Sequence, residues 1–260
     1  MTPTPGTSQP LLVFGDDGSE PSDLAWQFLV AHPWPGWAID VMTADEADIK
    51  WGEPNDPEEW TPEWDRTQSL AGSPKVRFLN VAADPRAMLA ERGDADVLVV
   101  GIRSHSYLEA MVTGSTTEWL LHHPPAPLLV VGSGDAVNEV VVCADGSPHA
   151  AAAVHTFTSL PLAAATRVTV VSVNDGRTDA QTAAASAVQA LEGKVAALDT
   201  VTTQGPATAA ILDHIDEARP NLVVLGTSGL TGWKRLTLGS TAAAVVRAVP
   251  CSSLVACVND

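Results

Sequence analysis

Two glycine-punctuated loops, one in each half of this chain, carry residue types that bind phosphate. In the second half an apolar run ends at Gly226, and Gly229, Gly239 and Ser240 follow at the spacing Gly-x2-Gly-x9-Gly-Ser. Glycines let a backbone approach a phosphate closely, and the start of a helix offers unpaired N–H groups and the positive end of its dipole. With Thr241 next in the chain, this pattern predicts a cradle for a di- or triphosphate.

The first half carries a weaker copy of the same loop. Gly101, Gly114 and Ser115 repeat the spacing, but Ser104 stands where the second half has Gly229. A serine Cβ at a position that requires positive φ costs about 1 kcal/mol or more. We therefore expect the first loop to be the poorer phosphate site.

An Asp-Gly-Ser turn follows the first apolar run of each half. Asp17 begins one turn and Asp145 begins the other, and the distance from each turn to its glycine loop is similar. An Asp-Gly pair is also ordinary turn chemistry, so a capping role for Asp145 stays open beside a ligand contact. The repeat of the whole pattern indicates a duplicated unit of roughly 125 residues. It predicts two domains, at 1–133 and 138–260.

Alternating strands and helices must position these loops. Continuous Val/Leu runs are typical of strands covered on both faces, and strand–helix alternation predicts right-handed crossovers and a mostly parallel sheet. The fold class is therefore α/β, with two tandem doubly wound domains. We predict strands at 11–15, 37–43, 76–82, 96–101, 127–132, 138–144, 167–173, 199–203, 221–226 and 252–258. Helices are expected at 20–31, 85–92, 114–122, 148–159, 178–197, 207–218 and 239–248.

The turn, the buried strand and the glycine spacing together resemble the universal stress protein family, over most of both halves. The resemblance implies strand order 3-2-1-4-5 in each domain. Because family dimers pair through their fifth strands, it also implies that the halves form a pseudo-dimer related by a two-fold axis. In ATP-binding members, residues at matching positions hold adenine, ribose and phosphates. Carried over, the implied site is Asp145, Val173, Gly205, Gly226, Gly229, Gly239, Ser240 and Thr241.

The first half departs from the family pattern at two positions. Ser104 replaces the second glycine of the motif, and Ala83 replaces the glycine that would match Gly205 of the second half. The residues that survive there are Asp17, Gly101, Gly114 and Ser115. We expect the nucleotide in the second half, and whether the first site binds anything stays open.

The function that the resemblance implies is that of an ATP-binding regulatory protein of the stress response, with Mg²⁺ as a possible companion of the nucleotide. A scaffold of the same fold without nucleotide and a slow ATPase are the alternatives. No paired acid and base can be nominated for catalysis. Lys234 and Arg235 either compensate phosphate charge or lie in a solvated loop.

The composition of the chain limits the classes of partner that it is expected to bind. The net charge is −17, with −13 in residues 1–132, so the chain lacks the basic surface of a nucleic-acid binder. No apolar run has the ~20 residues of a membrane span. Three cysteines in apolar runs are typical of buried thiols in a reducing compartment, which favours the cytoplasm. The histidines have no metal-binding spacing.

An acidic stretch at 45–65 is the least regular part of the chain. Its three tryptophans either pack locally, close over the first cleft or dock a protein partner. The identity of that partner and a possible homodimer are left open by the sequence. The tryptophans are Trp51, Trp60 and Trp64.

Overall fold

The computed structural model describes residues 9–45, 58–59, 66, 70–102, 116–227, 238–256 and 258, with the backbone alone at 58–59. Several positions discussed above lie outside the described residues. They are Trp51, Trp60, Trp64, Ser104, Gly114, Ser115, Gly229, Lys234 and Arg235.

The first half alternates strands and helices as expected. Its elements are β1 (Leu11–Gly15), α1 (Glu20–Ala31), β2 (Ala38–Ala44), β3 (Glu58–Glu59), β4 (Lys75–Val81), α2 (Pro85–Ala90), β5 (Val97–Gly101), α3 (Thr116–His122) and β6 (Leu128–Val131).

The second half repeats this order with longer helices. Its elements are β7 (Glu139–Cys143), α4 (Pro148–Ser159), a 3-10 helix (Pro161–Ala165), β8 (Arg167–Asn174), α5 (Ala180–Leu191), β9 (Ala197–Gln204), α6 (Ala207–Ala218), β10 (Leu222–Gly226), α7 (Ser240–Ala248) and β11 (Ser252–Ala256).

All the described strands join one sheet in the order β3-β4-β2-β1-β5-β6-β11-β10-β7-β8-β9. Within each half the main strands are parallel and follow the order 3-2-1-4-5, which confirms the expected topology. The two fifth strands, β6 and β11, pair antiparallel at the centre, with Leu254 opposite Leu129. This antiparallel junction gives the halves their pseudo-two-fold relation.

The sheet is covered on both faces, as its continuous apolar strands predict. One apolar layer packs beneath α1, α4 and α5, and it includes Trp26, Phe157 and Leu191. The other packs beneath α2, α3, α6 and α7, and it includes Leu120 and Val245. Each layer contains residues of both halves, so the two domains share their cores.

Most predicted boundaries differ from the observed ones by one or two residues, but two predictions need correction. The helix expected at 178–197 ends at Leu191, because a turn through Gly193 at φ 72° leads into β9 at Ala197. In the stretch expected to be irregular, Glu58–Glu59 forms the short strand β3 and pairs antiparallel with β4. The first half thus has β3 in a crossover where the second half has α5.

Two side-chain contacts tie the halves together beyond the central strands. The buried ring of His32 donates from Nδ1 to the carbonyl oxygen of Phe28 at 2.7 Å, and its Nε2 accepts the N–H of Val137 at 2.9 Å. Burial lowers the pKa of His32, which agrees with a neutral ring that accepts a hydrogen bond. On the other face Arg247 of α7 pairs with Glu118 of α3.

Candidate functional site

The four site positions predicted at strand ends in the second half come to one edge of the sheet. Asp145 follows β7, Val173 is the penultimate residue of β8, Gly205 follows β9 and Gly226 ends β10. Because these strands are parallel neighbours, their carboxyl ends meet at this edge. Ligands of doubly wound sheets bind at the carboxyl edge, beside the point where strand order reverses.

Asp145 holds the turn that starts α4. Its Oδ1 accepts the N–H of Ser147 at 2.9 Å, and Gly146 adopts φ 78°. The Ser147 hydroxyl in turn accepts the N–H of Ala150 at 3.1 Å and caps the helix. The capping role is therefore present, while no described residue bonds the other carboxylate oxygen of the half-buried Asp145.

Gly205 is a glycine for conformational reasons. Its φ of 130° is one that side-chain-bearing residues rarely adopt, yet no atom lies within 4 Å of the position a Cβ would take. Its N–H donates to the carbonyl oxygen of Asn174 at 3.1 Å, which joins the ends of β8 and β9. The backbone at this edge is thus held open to solvent without a side chain above it.

Gly226 has a different requirement, which comes from packing. A Cβ there would lie 2.6 Å from the carbonyl carbon of His149 in the first turn of α4. At Gly101 in the first half a Cβ would lie 2.1 Å from the carbonyl oxygen of Pro21 in α1. In both halves the first glycine of the motif is therefore required by the helix that crosses it.

The second part of the motif begins α7. Gly239 is the N-cap residue with an ordinary φ of −62°, and no side chain of a described residue caps the helix. Ser240 is exposed, and the Thr241 hydroxyl lies 3.5 Å from the hydroxyl of Thr208 in the first turn of α6. The first turns of α6 and α7 therefore face each other at this edge.

A groove of about 390 Å³, open to solvent, lies between these helix starts and the ends of β8 and β9. Its volume falls within the range of about 300–1,000 Å³ that is usual for ligand pockets. Two predicted site residues, Gly205 and Thr241, line it, whereas Asp145, Val173 and Gly226 lie outside its lining. The lining residues are Asn174, Asp175, Arg177, Gly205, Pro206, Ala207, Thr208 and Thr241.

Sequence reasoning missed the loop after β8. Asn174, Asp175 and Arg177 line the groove, and the polar run Asn-Asp-Gly-Arg directly after a buried strand could have indicated them. The carboxylate of Asp175 accepts the N–H groups of Arg177 and Thr178 at 3.0 and 3.2 Å. The hydrogen bond from Arg177 is the main reason that the pKa of Asp175 is lowered.

The first half places its surviving motif residues differently. Asp17 is exposed, and its Oδ1 accepts the N–H of Ser19 at 3.0 Å. Next to it, Asp16 is buried and forms two hydrogen bonds with Arg66, at 2.8 and 2.9 Å. Arg66 also bonds Asp23 at 2.7 Å.

Arg66 comes from the crossover between β2 and β4, and its side chain is almost fully buried. Its guanidinium carbon lies 5.8 Å from the ring centroid of Trp26 on α1. Burial alone would lower the pKa of Arg66, but its hydrogen bonds and charge interactions with Asp16 and Asp23 raise it. At the equivalent point of the second half, the Cβ position of Gly146 lies 3.5 Å from Ala183 of α5. A buried ion pair thus stands where the second half packs a helix.

Two further observations concern metal binding and membrane spans. Within the described ranges, no three His, Cys, Asp or Glu residues group so that they could hold a metal ion. No helix among the described residues is long and apolar enough to cross a bilayer.

A single protein family matches both halves of the chain. The model described as "Universal stress protein family" matches residues 12–132 and again 137–256. No curated protein matches the chain significantly.

Solved structures share the tandem fold at low identity. A universal stress protein from Archaeoglobus fulgidus is 18% identical with a TM-score of 0.67, over 97% of each chain. A protein from Pseudomonas aeruginosa, described as a candidate member of the same family, is 14% identical with a TM-score of 0.61, over 96% of this chain and 93% of that one. These likenesses show the fold.

A universal stress protein solved in complex with cAMP is 20% identical, over 46% of this chain and 97% of that one. That protein therefore binds a cyclic nucleotide. Its TM-score of 0.39 is too low for the likeness to bear on this chain.

Proposed function

The chain belongs to the universal stress protein family, and from that premise we propose that its second half binds an adenine nucleotide, ATP in the first instance. Occupancy of the site would regulate a protein partner. We assign the two units to 1–133 and 138–260, with the nucleotide in the second.

The groove at the ends of β8 and β9 carries this proposal. It is lined by Gly205, which follows β9, and by Thr241 in the first turn of α7, a helix that no side chain of a described residue caps. Uncapped N–H groups and a hydroxyl suit phosphate oxygens. The unbonded oxygen of Asp145 suits a ribose hydroxyl, and the buried Val173 offers an apolar edge to adenine.

The remaining motif residues would support the phosphates. Gly239, Ser240 and Thr241 supply the start of α7, while Gly226 lets α4 pack close to the end of β10. A Mg²⁺ ion bound with the nucleotide would be held by phosphate oxygens, with waters and one or two carboxylates completing its coordination.

Calorimetric titration with MgATP tests the proposal. We expect one site per chain, and we expect Thr241→Val to weaken binding roughly tenfold, because the variant keeps its shape but loses a hydroxyl that bonds a charged oxygen. Thr202→Val, at an exposed position on β9, is the matched control and should bind as the wild type does. Equal affinity in wild type and Thr241→Val, or no binding at millimolar MgATP, would contradict the proposal.

A scaffold without nucleotide is the second candidate, and the packing of the glycines favours it. Gly101 and Gly226 are both required by a crossing helix, so this part of the motif would persist even if no ligand were bound. The same titration decides between the two: a folded wild type that gives no binding heat supports the scaffold.

We also place the protein in the cytoplasm. Cys143 and Cys251 are free thiols, and burial raises the pKa of each to about 12, so neither is a reactive thiolate at neutral pH. The protein partner and a possible homodimer remain predictions.

A further inference from the structure

Arg177 differs from most described arginines in that its guanidinium forms no ion pair or hydrogen bond with a carboxylate, although its charge acts through space on Asp175. Six arginines form ion pairs, and among the described residues only Arg177 and Arg219 do not. Arg219 follows the C-terminal end of α6, away from the groove. The paired arginines are Arg66, Arg77, Arg86, Arg92, Arg167 and Arg247.

The position of Arg177 relates its unpaired charge to ligand binding. It is the one described lysine or arginine that lines the groove. The chain has 31 acidic residues against 14 basic ones, so carboxylates are the abundant surface charge and an unpaired guanidinium is the exception. A guanidinium that no carboxylate occupies keeps its five donors for a ligand.

The loop that carries Arg177 is held in place by its own side chains. Asn174 Oδ1 accepts the N–H of Gly176 at 3.0 Å, and Asp175 Oδ1 accepts the N–H groups of Arg177 and Thr178. The Asp175 carboxylate therefore braces the backbone of the loop and forms no hydrogen bond with the guanidinium. This bracing fixes where Arg177 leaves the backbone at the groove.

The lining of the groove also presents hydroxyl groups that suit an anion. The hydroxyls of Thr208 and Thr241 lie 3.5 Å apart, one in the first turn of α6 and one in the first turn of α7. A cation and hydroxyls in the lining of one groove complement an oxyanion, and Arg binds phosphate through paired donors.

We propose that Arg177 is the charge-selecting residue of this groove, and that its guanidinium binds a phosphate oxyanion of the ligand together with the hydroxyls of Thr208 and Thr241. The identity of that ligand as a nucleotide rests on the proposed function. The group that Arg177 recognises is the phosphate, which inorganic triphosphate also carries.

Three ligands and three variants test this assignment. MgATP, adenosine and inorganic triphosphate are titrated against the wild type, Arg177→Gln, Arg177→Lys and Arg167→Gln. Arg167 is the matched control, because it is exposed at the opposite end of β8 and its substitution removes the same charge.

We expect Arg177→Gln to weaken MgATP and triphosphate at least about tenfold, with adenosine unchanged, since only the first two carry the oxyanion. Arg177→Lys should recover part of the affinity, and Arg167→Gln should stay within about twofold of the wild type. The salt dependence of triphosphate binding should also be shallower in Arg177→Gln, because one charge contact is lost.

Each other outcome has a defined meaning. If Arg177→Gln binds MgATP and triphosphate like the wild type, the assignment is wrong while the proposed function stands. If adenosine is weakened as much as MgATP, Arg177 acts on the structure of the groove and the assignment is again wrong. Binding of triphosphate that depends on Arg177, without any binding of MgATP or adenosine, would remove the proposed function and keep the assignment. No binding of any ligand by the wild type would overturn both.

Discussion

The buried pair of Asp16 and Arg66 is the clearest difference in chemistry between the halves. Asp16 is 3% exposed, and the equivalent position after β7 is Ala144. The Arg66 guanidinium satisfies the carboxylate of Asp16 and reaches Asp23 and Ser22 on α1. The first half has therefore diverged through a buried ion pair as well as through Ser104.

We predict that Arg66→Met lowers the free energy of unfolding by about 3–5 kcal/mol, because it leaves the buried Asp16 carboxylate without the guanidinium that balances its charge. The double variant Asp16→Ala/Arg66→Met should recover most of this loss, since the second half has a buried alanine, Ala144, at the position equivalent to Asp16. Urea unfolding of the two variants and the wild type measures both effects.

The exposed pair Arg86–Asp84 supplies the control for this prediction, because Arg86→Met should cost no more than about 1 kcal/mol. A loss for Arg66→Met no larger than that of Arg86→Met would show that the buried pair is not required for stability.

Helices α1 and α4 lie so close to β5 and β10 that only glycine fits beneath their first turns. The positions are Gly101 and Gly226, and neither has positive φ. Their contacts are with backbone atoms, which cannot move aside as a flexible side chain could. The start of the glycine motif therefore fixes the approach of one helix to one strand, whatever the motif binds.

Gly101→Ala should accordingly destabilise the protein by about 1–3 kcal/mol, because an added Cβ overlaps the carbonyl of Pro21. Gly93→Ala is the matched control in the same half, since its Cβ would meet only Pro125 O at 3.6 Å. Thermal or urea unfolding should find Gly93→Ala neutral or slightly more stable. Equal stability of the two variants would contradict the packing argument.

The eleven described strands join the two halves in one continuous sheet. β6 and β11 pair at the centre of the sheet, and both apolar layers continue across that junction. His32 and Val137 add a buried hydrogen bond between α1 and the chain that enters β7. A perturbation in one half should therefore reach the other.

Leu254→Ala on β11 is predicted to shift the unfolding of the first half as well. The substitution removes a fully buried side chain and should cost about 2–5 kcal/mol. Seven of the eight tryptophans lie in residues 1–132, so tryptophan fluorescence reports mainly on the first half, while far-UV circular dichroism reports on both. The two curves should coincide and move together to lower urea. A fluorescence transition that stays in place while the dichroism curve moves would show that the halves unfold independently.

Much of the fold could be predicted from local features of the sequence. The runs that became β5 and β10 are continuous Val/Leu segments, and the helix beginning at Ser240 follows a glycine, so the positions of these elements could be predicted. The length of α5 could not be predicted, because the alanine-rich run that leads to Leu191 favours a longer helix, which the turn at Gly193 ends. Strand β3 was also missed, because two glutamates have no strand pattern of their own and depend on pairing with β4.

The sequence by itself determined the duplication, the parallel topology and the edge of the sheet at which Asp145, Gly205 and Gly226 lie. It did so because repeat spacing, apolar runs and crossover handedness follow from the order of residues along the chain. Only the tertiary structure decided that Arg66 reaches Asp16 across fifty positions, that Gly226 lies beneath α4, and that Arg177 lines the groove beside Thr241. Such contacts join residues from different elements, and their distances follow from how helices pack on the sheet, which no local pattern encodes.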